Sequence, residues 1–126
     1  MEIKIDTKEK FTVLSPLLPD LSANIAASIK VISMNQLALD PKNIILQMQN
    51  VENIEASAAF QLAELQAYFY ENSASFVICT LTEPVEKLFE KLELLEFLNT
   101  TPTESEAWDI VQMEEIEREF LDGDDF

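Results

Sequence analysis

The chain contains no histidine, one cysteine (Cys79) and one glycine (Gly123) among its 126 residues. Lacking histidine, it lacks both the commonest general base and the commonest metal ligand. Its only glycine lies near the C-terminal end, so no glycine-rich loop can cradle a phosphate or a dinucleotide. A single cysteine excludes an internal disulfide. Cys79 sits in the apolar run Phe76-Val77-Ile78-Cys79 with no basic neighbour to lower its pKa, and reads as a small core residue. Cationic side chains are scarce too: 8 Lys and Arg against 24 Asp and Glu give 8 − 24 = −16. That charge repels polyphosphates and anionic headgroups, which argues against nucleic acid or a membrane surface as a direct partner. No apolar run approaches the ~20 residues that span a bilayer, and the first residues alternate instead of forming a signal-peptide block. A cytoplasmic protein without membrane insertion is expected. The carboxylates form no spaced Asp loop with a turn glycine, so no metal site is expected. Glu52 and Glu55 have no basic, nucleophilic or cofactor companion, so the chain is read as a non-enzymatic binding protein without cofactors.

What is present suffices for one α/β domain, since 48% hydrophobic residues can fill a core at this length. Ile3 and Ile5 alternate with polar residues and, with Phe11-Thr12-Val13-Leu14 after a polar turn, predict an opening β-hairpin. Ser15-Pro16-Leu17-Leu18-Pro19-Asp20 reads as a breaker, and a helix from Ser22 carries Ile25, Ile29 and Ile32 on one face. The short apolar runs Ile44–Met48 and Phe76–Cys79 predict strands covered on both faces, paired in parallel by a right-handed crossover. The crossover helix, opening near Ser57, has its buried stripe at Ala58, Leu62, Leu65 and Phe69; Phe60 falls on the outer face. A third helix begins at Thr82, a capping residue, with Pro84 in its first turn. Its stripe is Val85, Leu88, Phe89 and Leu92. Phe97-Leu98 are expected as a short edge strand, and Thr103 and Glu106 match a capping box that opens a fourth helix with Trp108 and Val111. Residues 113–126 are strongly acidic and read as a solvated helical extension and tail beyond a domain at 1–112.

The strand and turn Ile44-Ile45-Leu46-Gln47-Met48-Gln49-Asn50-Val51-Glu52-Asn53-Ile54-Glu55-Ala56-Ser57-Ala58-Ala59-Phe60 resemble the strand, Asp-Ser-Ser-Gly-Leu-like turn and helix of STAS domains of anti-sigma factor antagonists. Thr82-Glu83-Pro84-Val85-Glu86-Lys87-Leu88-Phe89 is similar to the family's helix after its next strand, and Thr101–Ala107 to the start of its last helix. Met113–Glu119 resembles the acidic ending of Bacteroidetes-type members. The resemblance implies a STAS-like (SpoIIAA-like) fold, with a central mixed sheet of four to five strands and helices packed on it. It implies a protein-protein interaction module that binds an anti-sigma factor or GHKL-type serine kinase, controls transcription, and is switched by serine phosphorylation. It places the family's aspartate at Glu55, the usual phosphoacceptor at Ala56, which cannot accept phosphate, and the next serine at Ser57. Ser57 then either caps the helix or substitutes as phosphoacceptor. The family's glycine and leucine become Ala58 and Ala59, and a small residue becomes Phe60, so the contact surface is remodelled. The expected partner-binding residues are Glu55, Ala56, Ser57 and Phe60, on a monomer or weak homodimer. The alternative is a structural STAS-like subunit of a transporter-associated or scaffold complex.

Overall fold

A computed structural model of the chain describes residues 2–123. Met1 of the opening run and Asp124-Asp125-Phe126 of the expected tail lie outside the described residues. The first strands, β1 (Ile3–Thr7) and β2 (Thr12–Pro16), pair antiparallel from Ile3 opposite Pro16 to Thr7 opposite Thr12. Beyond β2 lie β3 (Asp20–Leu21), α1 (Ala23–Leu37), β4 (Ile44–Gln47), β5 (Asn53–Ile54), α2 (Ala56–Glu71) and β6 (Phe76–Cys79). The chain closes with α3 (Glu83–Lys91), a 3-10 turn at Leu95–Phe97, β7 (Thr100–Thr101) and α4 (Glu104–Gly123). The main sheet has the order β1-β2-β4-β6-β7, parallel from β2 onward, so it is a mixed five-stranded sheet with four helices.

Strand side chains alternate across a sheet, and here each parity has its own cover. Leu14, Ile44, Leu46, Phe76 and Ile78 pack with Ala26 and Ile29 of α1, with Leu62, Leu65 and Phe69 of α2, and with Val85 and Phe89 of α3. Val13, Ile45, Val77 and Cys79 point to the other face, where Ala107 and Val111 of α4 cover them. Both faces of β4 and β6 are therefore dry, which is why their sequences are unbroken apolar runs. Each such side chain contributes roughly 1.5–3 kcal/mol by leaving water. Edge-to-face Phe69 and Phe76, centroids 5.5 Å apart, close the larger core, and Phe11 against Trp108 at 4.9 Å flanks the smaller one.

Two sequence expectations are corrected here. The edge strand is not Phe97-Leu98 but Thr100-Thr101, beside Ile78 and Cys79. Leu94 and Leu98 both turn into the core, which winds the intervening residues into a 3-10 turn and leaves Phe97 outside. The breaker segment also reaches into strands at both ends: Ser15-Pro16 finish β2, and Asp20 opens β3, where Asp20-Leu21 pair in parallel with Asn53-Ile54 in a separate two-stranded sheet.

With no glycine inside the fold, left-handed corners fall to other residues. Ser73 (φ 58°) and Glu93 (φ 60°) follow α2 and α3. At each, the next residue's N–H reaches back across the last turn, Ala74 to the Phe69 carbonyl and Leu94 to the Phe89 carbonyl, both at 2.9 Å. This is the six-to-one bond of a Schellman cap, and it brings Ala74 and Leu94 into the core.

The acidic end is helical through Gly123, without a break at 112/113. Its inner residues are not free in solvent. At the amino end of the parallel strands, buried Ser75 donates its hydroxyl to Glu114 Oε1 at 2.6 Å, and the Asn99 amide donates to Glu114 Oε2 at 3.0 Å. Buried Asn43 donates to Glu115 Oε2 at 2.7 Å and accepts the Ser75 N–H at 2.9 Å, while Arg118 reaches Ser75 Oγ at 3.2 Å. A polar latch thus ties α4 to the bottom of the sheet.

Candidate functional site

The candidate site lies at the opposite, carboxyl end of the same strands. After β4, the Met48–Glu52 turn is anchored by the Val51 N–H donating to the Met48 carbonyl at 3.0 Å. The Thr82 hydroxyl donates to the Val51 carbonyl at 2.7 Å. Thr82 occupies the N-cap position of α3, but its side chain makes no cap bond; it ties the start of α3 to the turn instead. From the other side, the Pro19 carbonyl accepts the N–H groups of Glu52 at 2.7 Å and Asn53 at 3.0 Å. The chain is thereby fixed as extended β5, and the Glu55 N–H donates to the Leu21 carbonyl at 3.1 Å. Only then can α2 begin.

Those constraints place the N-cap at Glu55, with extended backbone (φ −73°, ψ 146°), and make Ala56 the first helical residue. Ser57 is therefore not the cap: it stands one residue inside the first turn, and the capping role expected for it is corrected. Serine is the better capping residue in isolation, but the pairing of β5 with β3 fixes where the helix starts. The Glu55 side chain makes no cap bond to α2. The Glu55 carboxylate is used elsewhere, accepting the N–H of Ala23, the first residue of α1, at 2.7 Å. Ser22 caps the same helix conventionally, its hydroxyl accepting the Ile25 N–H at 3.2 Å.

Glu55, Ala56 and Ser57 are exposed, and Phe60 is 47% exposed one turn on, so the four expected partner-binding residues share one outward surface. Ala58 and Ala59 are fully buried, so of the three remodelled positions only Phe60 reaches the surface. Leu17 and Leu18, 46% and 43% exposed, lie on the loop after β2 that carries Pro19. They add apolar area at this end of the sheet, and sequence reading passed them over because the two flanking prolines marked the segment only as a breaker.

The chemistry of the end is that of a surface. Cys79, at the end of β6, is fully buried. Burial pushes its thiol up from 9.0 to about 11, with Glu104 adding in the same direction against a hydrogen bond from Thr80 that lowers it. It stays protonated and inert near neutrality. Among the described residues, no group of His, Cys, Asp or Glu could hold a metal ion, and no helix is long and apolar enough to cross a membrane.

Comparison with known proteins gives a consistent result. No curated protein matches the sequence. A protein of Thermotoga maritima described as an anti-sigma factor antagonist shares 19% identity at a TM-score of 0.77, over 87% of this chain and 94% of its own. The phosphorylated form of the Bacillus cell fate determinant SpoIIAA shares 14% at 0.63, over 86% and 98%. A murine anion transporter, Solute Carrier 26 family member A9, shares 13% at 0.67 over 86% of this chain but only 18% of its own. These likenesses concern the fold. The family model that matches residues 3–107 is the STAS domain, and the chain belongs to the STAS domain family.

Proposed function

We propose that this STAS domain is a non-enzymatic, cytoplasmic protein-protein interaction module of the anti-sigma factor antagonist kind. It docks an anti-sigma factor or GHKL-type serine kinase through Glu55, Ala56, Ser57 and Phe60, and so controls transcription. The observation that supports this most is the α2 start, where an exposed serine and a half-exposed phenylalanine lie within one turn of a helix whose N-cap residue, Glu55, makes no side-chain cap bond. With alanine at position 56, Ser57 is the hydroxyl left at this turn to carry a phosphate. Phosphate would add roughly −1.5 to −2 charges at pH 7, which a surface fitted to a neutral hydroxyl would have to desolvate. The helix N-terminus would tolerate the anion, so the switch would act on docking and not on folding.

The test is purification of the tagged chain from its native cells, with mass spectrometry of the co-purifying proteins and of the Ser57 peptide, followed by titration of the recovered partner. Ser57→Asp is expected to weaken docking while folding persists; unchanged affinity would remove the α2 start from the interface. A second reading, a structural subunit of a transporter-associated or scaffold complex, has its support in the likeness to the transporter domain. Stable recovery of a multisubunit assembly with Ser57 unmodified would favour it.

A further inference from the structure

The second half of α4 has its amphipathicity inverted. Val111, Glu114 and Arg118, spaced i, i+3, i+7, face the sheet, and two of the three are charged groups engaged in the polar latch. Met113, Ile116 and Phe120 repeat the same spacing on the opposite side, 57%, 62% and 70% exposed. A surface helix ordinarily buries its apolar stripe and shows its charges. Single exposed apolar residues are commonplace, but three in helical register form a continuous stripe that water does not favour.

The surroundings of the stripe select what covers it. Glu106, Asp109, Glu117 and Glu119 are exposed along and beside it. A second copy laid across the stripe by a two-fold axis would bring these carboxylates against their equivalents, on chains that each carry a net charge of −16. Like charge facing like charge is what interfaces avoid. Anionic lipid and nucleic acid are repelled by the same field. A helix with an apolar face and flanking lysines or arginines satisfies both requirements, apolar side chains on the stripe and cations on the carboxylates. We propose that the outer face of α4 is a docking surface for a basic amphipathic helix of a partner protein. It lies across the sheet from α2, so it can be occupied while the α2 start is engaged, and its test does not depend on the α2 reading.

The experiment uses the full chain and two labelled peptides of about 18 residues, long enough for helix. Both carry leucine at i, i+3, i+7; one has lysine at its flanking positions, the other glutamate. Fluorescence anisotropy at ~0.1 M salt, where only close charges still act, is expected to show binding of the lysine peptide alone. The double variant Ile116→Gln/Phe120→Gln keeps every charge and uses good helix formers; it is expected to weaken that binding at least about tenfold, as loss of an apolar anchor does. Tyr70→Gln, which removes an exposed aromatic from α2, leaves binding unchanged. Circular dichroism should show both variants folded as the parent. Equal binding of the lysine peptide to parent and double variant would reduce the attraction to net charge and overturn the proposal. So would a dimer in sedimentation velocity that disappears in the double variant, because the stripe would then belong to a second copy.

Discussion

The two ends of the parallel strands use the same side chains in opposite ways. At the amino end, Ser75 is 1% exposed, its hydroxyl bonded to Glu114 and Arg118, and Asn43 beside it uses both ends of its amide. At the carboxyl end, Ser57 is exposed, in the first turn of a helix whose N-cap residue Glu55 makes no side-chain cap bond. Polar groups buried without partners are costly, so the amino end carries a closed network. The carboxyl end stays wet, and its backbone is held by strand pairing and by Thr82. The lesson is that a serine and a glutamate at the start of a helix say little alone; whether they serve structure or display depends on what the neighbouring strands have already fixed.

The contrast is sharpest under added charge. Ser75→Asp sets a carboxylate against Glu114 in a buried site and should cost at least about 3 kcal/mol in denaturant unfolding. Ser57→Asp, at a helix N-terminus, should change stability by no more than about 1 kcal/mol, in the favourable direction. Similar losses from the two would break the comparison. The two phenylalanines of α2 extend it. Phe69→Ala, at the amino end against Phe76, should cost roughly 3–5 kcal/mol, and Phe60→Ala at the carboxyl end less than about 1 kcal/mol; a full-sized loss at Phe60 would make it a core residue.

Cys79 tests how dry the carboxyl end is one layer down. Burial pushes the folded thiol up to about 11, above its value in the unfolded chain. The unfolded chain therefore loses this proton first as pH rises, and stability falls from about pH 9 towards 11, by on the order of 2 kcal/mol. Alkylation at pH 8 should proceed only as fast as the chain opens, and Cys79→Ala should abolish this part of the alkaline loss. Labelling at the rate of a free thiol would show that water reaches β6. The smallest expected effect concerns the corner at Ser73. Ser73→Gly relieves a left-handed residue of its Cβ and should raise stability by about 1 kcal/mol, read as a higher midpoint of thermal unfolding.

Much of this fold is legible because its periodicities are strong. The apolar runs of β4 and β6 are read correctly since both faces are covered, and the α2 stripe since Ala58, Leu62, Leu65 and Phe69 all reach one core. The exposed position of Phe60 follows from the same wheel. What escapes the sequence is fixed by contacts between distant residues. β3 and β5 have two residues each and no local signal, yet their pairing moves the α2 cap from Ser57 to Glu55. The edge strand is displaced from Phe97-Leu98 to Thr100-Thr101 because Leu94 and Leu98 are both drawn into the core. The docking of Glu114 and Arg118 is invisible in an acidic run, since Asn43 and Ser75, which receive them, come from other parts of the chain.

The bridge from Glu55 to α1 has a thermodynamic consequence. Ala23 is clasped at both backbone groups, its N–H by the carboxylate of Glu55, the N-cap of α2, at 2.7 Å and its carbonyl by the Gln61 amide of α2 at 3.3 Å. The tip that carries Ser57 is thereby fixed to a second helix before any partner arrives. Immobilising a loop during association normally consumes part of the contact energy. Here that ordering is completed in folding, so a partner docking at this tip as proposed would meet a pre-ordered surface, and contact with Phe60 would be converted into affinity with little loss.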